Sequence, residues 1–374
     1  MRYDVAIVGA GPAGAAAALR LARAGADVCI IERAQFPRTK ACGEYLSAGT
    51  VRMLDALGVA KMLAAHAALL QGVRLFGNGT SAELRFSVPA WSLPRATLDA
   101  ALLDAALEAG AFCMLGRAER FVCDATAVRV DVRTPDGNIE QIHASVLVGA
   151  DGAQSVVARE FALNAPSRGR RRFALGGHYA GLRDLGAHLH MFVDGRSYFA
   201  VNPMTDASAN VMLIVDEDDL HERRDDVDHF MRQRVAALSG GRIRFDGAVL
   251  EGKRIAIGPL AHRARRFSAP HVLLAGDSAQ FLDPFTGQGV YLALRAAELA
   301  SQAIVLRLSG HVSERRAWGE YETGLRRELV RRRRLSAIVS LLVRVPLLAK
   351  RAADLVERKP RVFRPLLDAV TGAT

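Results

Sequence analysis

Four cysteines in 374 residues (Cys29, Cys42, Cys113 and Cys123) lie scattered, with no CxxC pair. Such spacing supports neither a disulfide framework nor a zinc site. No GxSxG elbow occurs, which excludes a Ser–His–Asp hydrolase of that type. No run of about eighteen apolar residues is present, so no membrane span is expected. A signal peptide does not fit, because a strand-like segment begins at Tyr3, and a cytoplasmic location is expected. His188 and His190 would share one strand face, but no third ligand stands at a suitable spacing, so no metal is expected. There is no internal repeat and no low-complexity tract.

What the chain does have is glycine in three separated segments: GAGPAG at Gly9–Gly14, GADG at Gly149–Gly152, and GDSAQFLDPFTGQG at Gly276–Gly289. The first sits between an apolar strand, Tyr3–Val8, and an alanine-rich helix that closes at Gly25. A second strand, Asp27–Ile31, ends at Glu32 and Arg33. Gly9 allows the tight turn, Gly11 lets backbone approach a pyrophosphate, and Gly14 allows close helix packing. The helix start at Pro12 and Ala13 offers free N–H groups to phosphate, and Glu32 is placed to accept from a ribose hydroxyl. This is a dinucleotide site.

The second segment, SVLVGADGAQSVVAR, carries Asp151, Gly152 and Arg159 after an apolar strand. The third carries Gly276, Asp277, Pro284, Gly287, Gly289 and Val290. Asp277 ends a buried strand, and the glycines open a helix whose N-terminus favours negative charge on a flat ring laid against it. With these motifs, residues 1–305 resemble the p-hydroxybenzoate hydroxylase-like flavoproteins. That superfamily holds aromatic and quinone-pathway hydroxylases, flavin-dependent halogenases and geranylgeranyl reductases. The resemblance implies non-covalent FAD, with Arg95 at the start of a helix as a further contact. Cys42 and Gly43 would touch the flavin by backbone. NAD(P)H would bind only transiently, since no second dinucleotide fingerprint exists.

The segment PRTKACGEYLSAGTVRML at Pro37–Leu54, with CGE followed by LS, is similar to the reductase-like branch. Gly287-Gln288-Gly289 has instead the hydroxylase form, where geranylgeranyl reductases usually show Gly-Glu-Gly. Halogenases carry WxWxIP where this chain has Tyr198-Phe199-Ala200-Val201-Asn202-Pro203, which argues against halogenation. Three residues are candidates for catalysis. Cys42 could be a thiol nucleophile, although a small buried cysteine is the commoner fate. Tyr198 and Tyr291 are the available proton donors for a reductase.

The expected fold class is α/β: a discontinuous Rossmann-type FAD-binding domain, an inserted antiparallel β-sheet substrate domain, and C-terminal helices. The FAD domain takes residues 1–75, 96–165 and 263–310, the substrate domain 76–95 and 166–262, and a basic helical segment 311–374. A hairpin is expected at TAVRVDVRT with its turn at Pro135–Asn138, and a charged surface helix over 216–240. Between Arg326 and Arg364 stand thirteen Lys and Arg against Glu328, Asp354 and Glu357, a balance of +10 in a chain of +11. This tail flanks an apolar stretch, Leu335–Ala349, broken by Arg344 and Pro346. Two readings stay open: peripheral contact with an anionic membrane on the inner face, or helices packed over the substrate pocket. Nucleic acid is not expected, and the oligomeric state is not set by the sequence. The leading functional expectation is an FAD-dependent monooxygenase using NAD(P)H and O2 on an apolar aromatic, polyketide or quinone-like substrate. The alternative is a reductase of isoprenoid or polyene double bonds. A third, outside catalysis, is an electron-carrying or lipid-binding flavoprotein.

Overall fold

The computed structural model describes residues 1–373 except positions 78, 166–170, 196, 206, 222–225, 244, 246 and 261. The chain begins β1 (Arg2–Val8), α1 (Pro12–Arg23), β2 (Val28–Glu32), β3 (Tyr45–Leu46), α2 (Ala48–Ala56) and α3 (Ala60–Ala64). It continues with β4 (Ala68–Gly77), β5 (Thr80–Ser92), α4 (Arg95–Glu108), β6 (Phe112–Leu115), β7 (Arg117–Cys123), β8 (Val128–Arg133), β9 (Ile139–Gly149) and α5 (Val156–Glu160). Next come β10 (Arg172–Ala180), β11 (His188–Asp194), β12 (Ser197–Pro203), β13 (Ser208–Asp216), α6 (Glu217–His221), α7 (Val227–Ser239) and β14 (Val249–Ile257). The last part holds β15 (Ser268–Ala269), β16 (Val272–Leu274), α8 (Gly289–Leu308), α9 (Glu314–Arg344), α10 (Pro346–Arg358) and α11 (Arg364–Thr371).

The strands form two eight-stranded sheets. In the first, β16, β9, β1, β2 and β6 lie parallel in that order, with β15 at one edge and the β7–β8 hairpin hung on β9. A parallel sheet is covered on both faces, so its strands are continuously apolar. The buried runs Val5–Val8 and Val28–Ile31 follow that rule. Helix α1 buries Ala13 and Ala15 to Ala18, and their small side chains let it pack between α4 and α8. By length and composition α8 could cross a membrane, yet 56% of that stretch is buried, and it is a core helix here.

The second sheet runs β14-β10-β13-β12-β11-β4-β5-β3. The antiparallel layer expected from the sequence is in fact mixed, because β11 and β4 pair parallel, His188 opposite Gly72 and Val193 opposite Gly77. A parallel pair needs a long crossover, and the whole of β5 to β10 lies between these two strands. The sheet also takes up all of β4 from Ala68, so the division drawn between residues 75 and 76 falls inside a strand. One face of this sheet packs on α7 through Phe230, Met231 and Val235. The other faces the first domain and the C-terminal helices through Leu189, Met191, Tyr198, Met212, Phe285, Val339 and Val343. The charged stretch over 216–240 is two helices, α6 and α7, rather than one, with 222–225 outside the described residues.

Candidate active site

The three glycine segments converge at the C-terminal ends of β1, β9 and β16. Gly9 has φ +101°, and a Cβ there would lie 2.6 Å from the Ala150 carbonyl oxygen. A Cβ on Gly14 would fall 1.8 Å from the Gly9 carbonyl oxygen. These two glycines are required by protein-on-protein packing. Gly11 is different, for its nearest neighbour would be Arg38 Nη2 at 3.7 Å, and Gly289 has nothing within 4 Å. Both stand open where the sequence places phosphate and flavin. The N-terminus of α1, with Pro12 and Ala13 in its first turn, has no side-chain cap and no acidic residue, so its N–H groups suit an anion.

Glu32 is buried, and its carboxylate accepts from the Ala10 N–H at 2.7 Å and the Ala34 N–H at 2.9 Å. Its first task is thus to fix the loop, with one lone pair per oxygen left for a ribose hydroxyl. Arg33 beside it is exposed. Around the loop gather Arg38, 3.7 Å from both Glu32 and Asp99, and Lys40. Burial, with Arg38 and Arg95 nearby, pushes the Lys40 ammonium below its ordinary pKa. Asp277 is pushed up by burial, opposed by Arg95, Lys40 and His262. A diphosphate would relieve the cations, and a ribityl hydroxyl would give Asp277 a donor. The donor set fits FAD.

Arg95 is buried and grips Asp99 with two bonds of 2.8 Å, Nε to Oδ1 and Nη2 to Oδ2. It also lies against Cys42, whose thiol is pushed up by burial and therefore stays protonated. That is the behaviour of a packed cysteine, not of a nucleophile. The Gly43 carbonyl accepts from Asn202 Nδ2 at 2.9 Å. Asp151 caps α5, accepting from the Val156 N–H at 2.6 Å, and leaves Oδ1 buried without a partner. A Cβ on Gly152, at φ +85°, would lie 3.9 Å from Lys40 Nζ, while Arg159 lies in the last turn of α5. Asp283 starts the turn at Pro284–Thr286, which ends at Gly287 with φ +63°. A Cβ on Gly287 would strike the Tyr45 ring at 2.5 Å. Gln288 keeps a buried, unpartnered Oε1 beside Gly289, and Val290 is buried under it.

Tyr198 donates to Asp283 Oδ1 at 2.8 Å, and burial raises its pKa well above the ordinary tyrosine value. Tyr291, in the first turn of α8, lies under the Arg332 guanidinium at 4.0 Å. Neither tyrosine lines the apolar cavity that opens beside the glycine turn. That cavity has a volume of about 150 Å³ and runs from Tyr45, Phe285 and Thr286 beside the glycine turn to α9, α10 and α11. Its walls are aliphatic and phenylalanine side chains of β4, β5 and β11, and among the described residues no charged group lines it. Voids of this size and character stay dry and take benzene-sized apolar groups. His188 and His190 do share a face, His190 bonding the Leu185 carbonyl at 2.7 Å and His188 lying 3.4 Å from Glu83.

One cluster was not singled out by the sequence. Glu44, 3% exposed and at φ +56°, accepts from the Arg95 N–H at 2.8 Å and from Asn210 Nδ2 at 3.2 Å. Its Oε2 also meets His178 Nε2 at 2.5 Å, and that hydrogen bond raises the His178 pKa against the effect of burial. The glutamate stands in the CGE motif, so the signal was a carboxylate between a glycine and an apolar run. Its partners on β10 and β13 could not be paired with it by spacing alone.

The family model described as "FAD binding domain" matches residues 2–324. Menaquinone reductase of Mycolicibacterium smegmatis is 29% identical over 329 residues, 84% of this chain and 78% of that protein. Digeranylgeranylglycerophospholipid reductase 2 of Methanopyrus kandleri is 30% identical over 324 residues, 81% and 78%. Among solved structures, OxyS anhydrotetracycline hydroxylase of Streptomyces rimosus is similar at a TM-score of 0.77 and 26% identity, covering 100% of this chain and 76% of that one. With the glycine loops and the buried acid in place, the chain belongs to the FAD binding domain family and is an FAD-dependent oxidoreductase.

Proposed function

We propose that the protein is a flavin-dependent reductase of carbon–carbon double bonds in an extended isoprenoid or polyene chain. The observation that carries this is the cavity: an apolar void that begins at the glycine turn and, among the described residues, carries no charged group to orient a compact polar substrate. The similarity to two proteins named menaquinone reductase and digeranylgeranylglycerophospholipid reductase 2 points the same way.

Bound FAD, renewed by NAD(P)H, supplies a hydride equivalent. The protein's part is to hold and to exclude. Gly9–Gly14, Lys40, Arg38 and Asp277 hold the cofactor. Phe285, Tyr45 and Met191 press the chain segment and keep water out. The second carbon also requires a proton, and the pair nearest the Cys42–Gly43 segment that could store one is Glu44 with His178, whose pKa is raised by their hydrogen bond, although His178 stands outside the cavity lining. The test is anaerobic incubation of reduced enzyme with a polyprenyl substrate and mass analysis of the product. A gain of two hydrogens supports the reading.

A second reading, hydroxylation with O2, is favoured by the Gly287-Gln288-Gly289 turn, whose Gln288 Oε1 is unpartnered. Labelled O2 incorporated into product, with no saturation under anaerobiosis, would replace the first reading by the second.

A further inference from the structure

Along α9 one solvent-facing stripe changes character. Arg327, Arg331 and Arg334 are followed by Ile338, Leu341 and Val345, and all six are exposed. Alternating steps of four and three residues keep a single face of an α-helix. The opposite side is occupied: Leu325 and Leu329 are buried, and Val339 and Val343 wall the cavity. At the elbow between α9 and α10 the exposed apolar surface grows, with Ile338 at 47%, Leu341 at 56% and Leu347 at 60%. Exposed cations continue beyond it at Lys350, Arg351 and Arg358. Single surface leucines need no explanation, but an apolar tip set between cations does.

We propose that this elbow docks on an anionic phospholipid bilayer. Ile338, Leu341, Val345 and Leu347 enter the acyl boundary, and the arginines and lysine rest on headgroup phosphates. Charge selects this partner over a second copy of the chain, because two such stripes would repel. The inner faces of α9 and α10 roof the cavity, so docking sets the roof against the lipid and lets an apolar substrate pass in without crossing water. That last step rests on the proposed isoprenoid substrate. The docking does not.

The experiment uses the full-length, FAD-loaded protein in sedimentation with vesicles of phosphatidylcholine, with and without phosphatidylglycerol. Binding is expected to the anionic vesicles and to weaken as screening shortens from about 10 Å at 0.1 M salt to about 3 Å at 1 M. Leu341→Asp with Leu347→Asp, and separately Arg331→Glu with Arg334→Glu, should each lower binding roughly tenfold or more at unchanged flavin content. Either pair binding like wild type overturns the proposal. So does a vesicle-free dimer that the same substitutions dissociate, for then a second copy covers the elbow. Turnover of a detergent-dispersed substrate is measured apart, so failure of the substrate reading leaves the vesicle result standing.

Discussion

A methyl group on Gly14 would sit 1.8 Å from the Gly9 carbonyl oxygen, and neither partner is a side chain that can swing away. Gly14→Ala must therefore lift α1 from the loop it caps. We expect a protein short of FAD and destabilised by about 1–3 kcal/mol, the usual range for overpacking. Absorbance of the purified variant and its melting temperature check both. The Glu44–His178 pair makes a different demand. The folded pKa of His178 is raised, chiefly by its hydrogen bond to Glu44, with Glu44 and Glu251 as the acids facing it. A raised histidine stabilises fully below its unfolded value, about 6.5, and loses that contribution as pH rises through the folded value. The melting temperature of wild type minus that of His178→Gln should fall as pH is raised from about 6.5. A difference that stays flat with pH would show that the pair does not titrate.

At the scale of elements, the roof of the cavity is the part most open to test. Ala353 of α10 lines the void with a single methyl group. Ala353→Phe should fill it and raise KM for a long apolar substrate about tenfold, worth roughly 1.4 kcal/mol, while FAD content stays at the wild-type level. A changed flavin content would mean that the helix supports the cofactor site instead. The βαβ start, the β6 strand, the β8–β9 hairpin and strands β10 to β13 of the second sheet were legible because each is written in local periodicity and turn chemistry, whereas β3, β4, β5 and β14 were not read as strands. The parallel seam of β4 and β11 was not legible either, since nothing in either strand specifies a partner more than a hundred residues away. The same holds within the site. The glycines announce themselves by spacing, whereas Lys40, Asp99 and the Glu44 cluster become visible only when separate elements meet. In the C-terminal segment the apolar side covers the cavity and the basic side faces outward, which is the packed-helix reading; membrane contact is a separate question that this packing leaves to the vesicle experiment.

For the whole molecule, the segments at residues 9–14, 151–152 and 276–289 meet only in the folded chain, so a cofactor site built on them exists only there. FAD at a hundredfold excess over its Kd should then add about 2.7 kcal/mol to stability. Thermal melts of stripped and reloaded protein measure this, and equal melting temperatures would contradict the shared site. The seam between β4 and β11 has a consequence of another kind. The second sheet is not a cassette that can be cut out at its sequence limits. A fragment from 171 to 262 would keep five strands but bare the edge of β11 where β4 belongs, and an unpaired edge of that length invites strands of other molecules. Anyone transplanting this layer onto a related scaffold must carry the β4–β5 hairpin with it. In the growing polypeptide, that hairpin must wait, unpaired on one side, until β11 has been made.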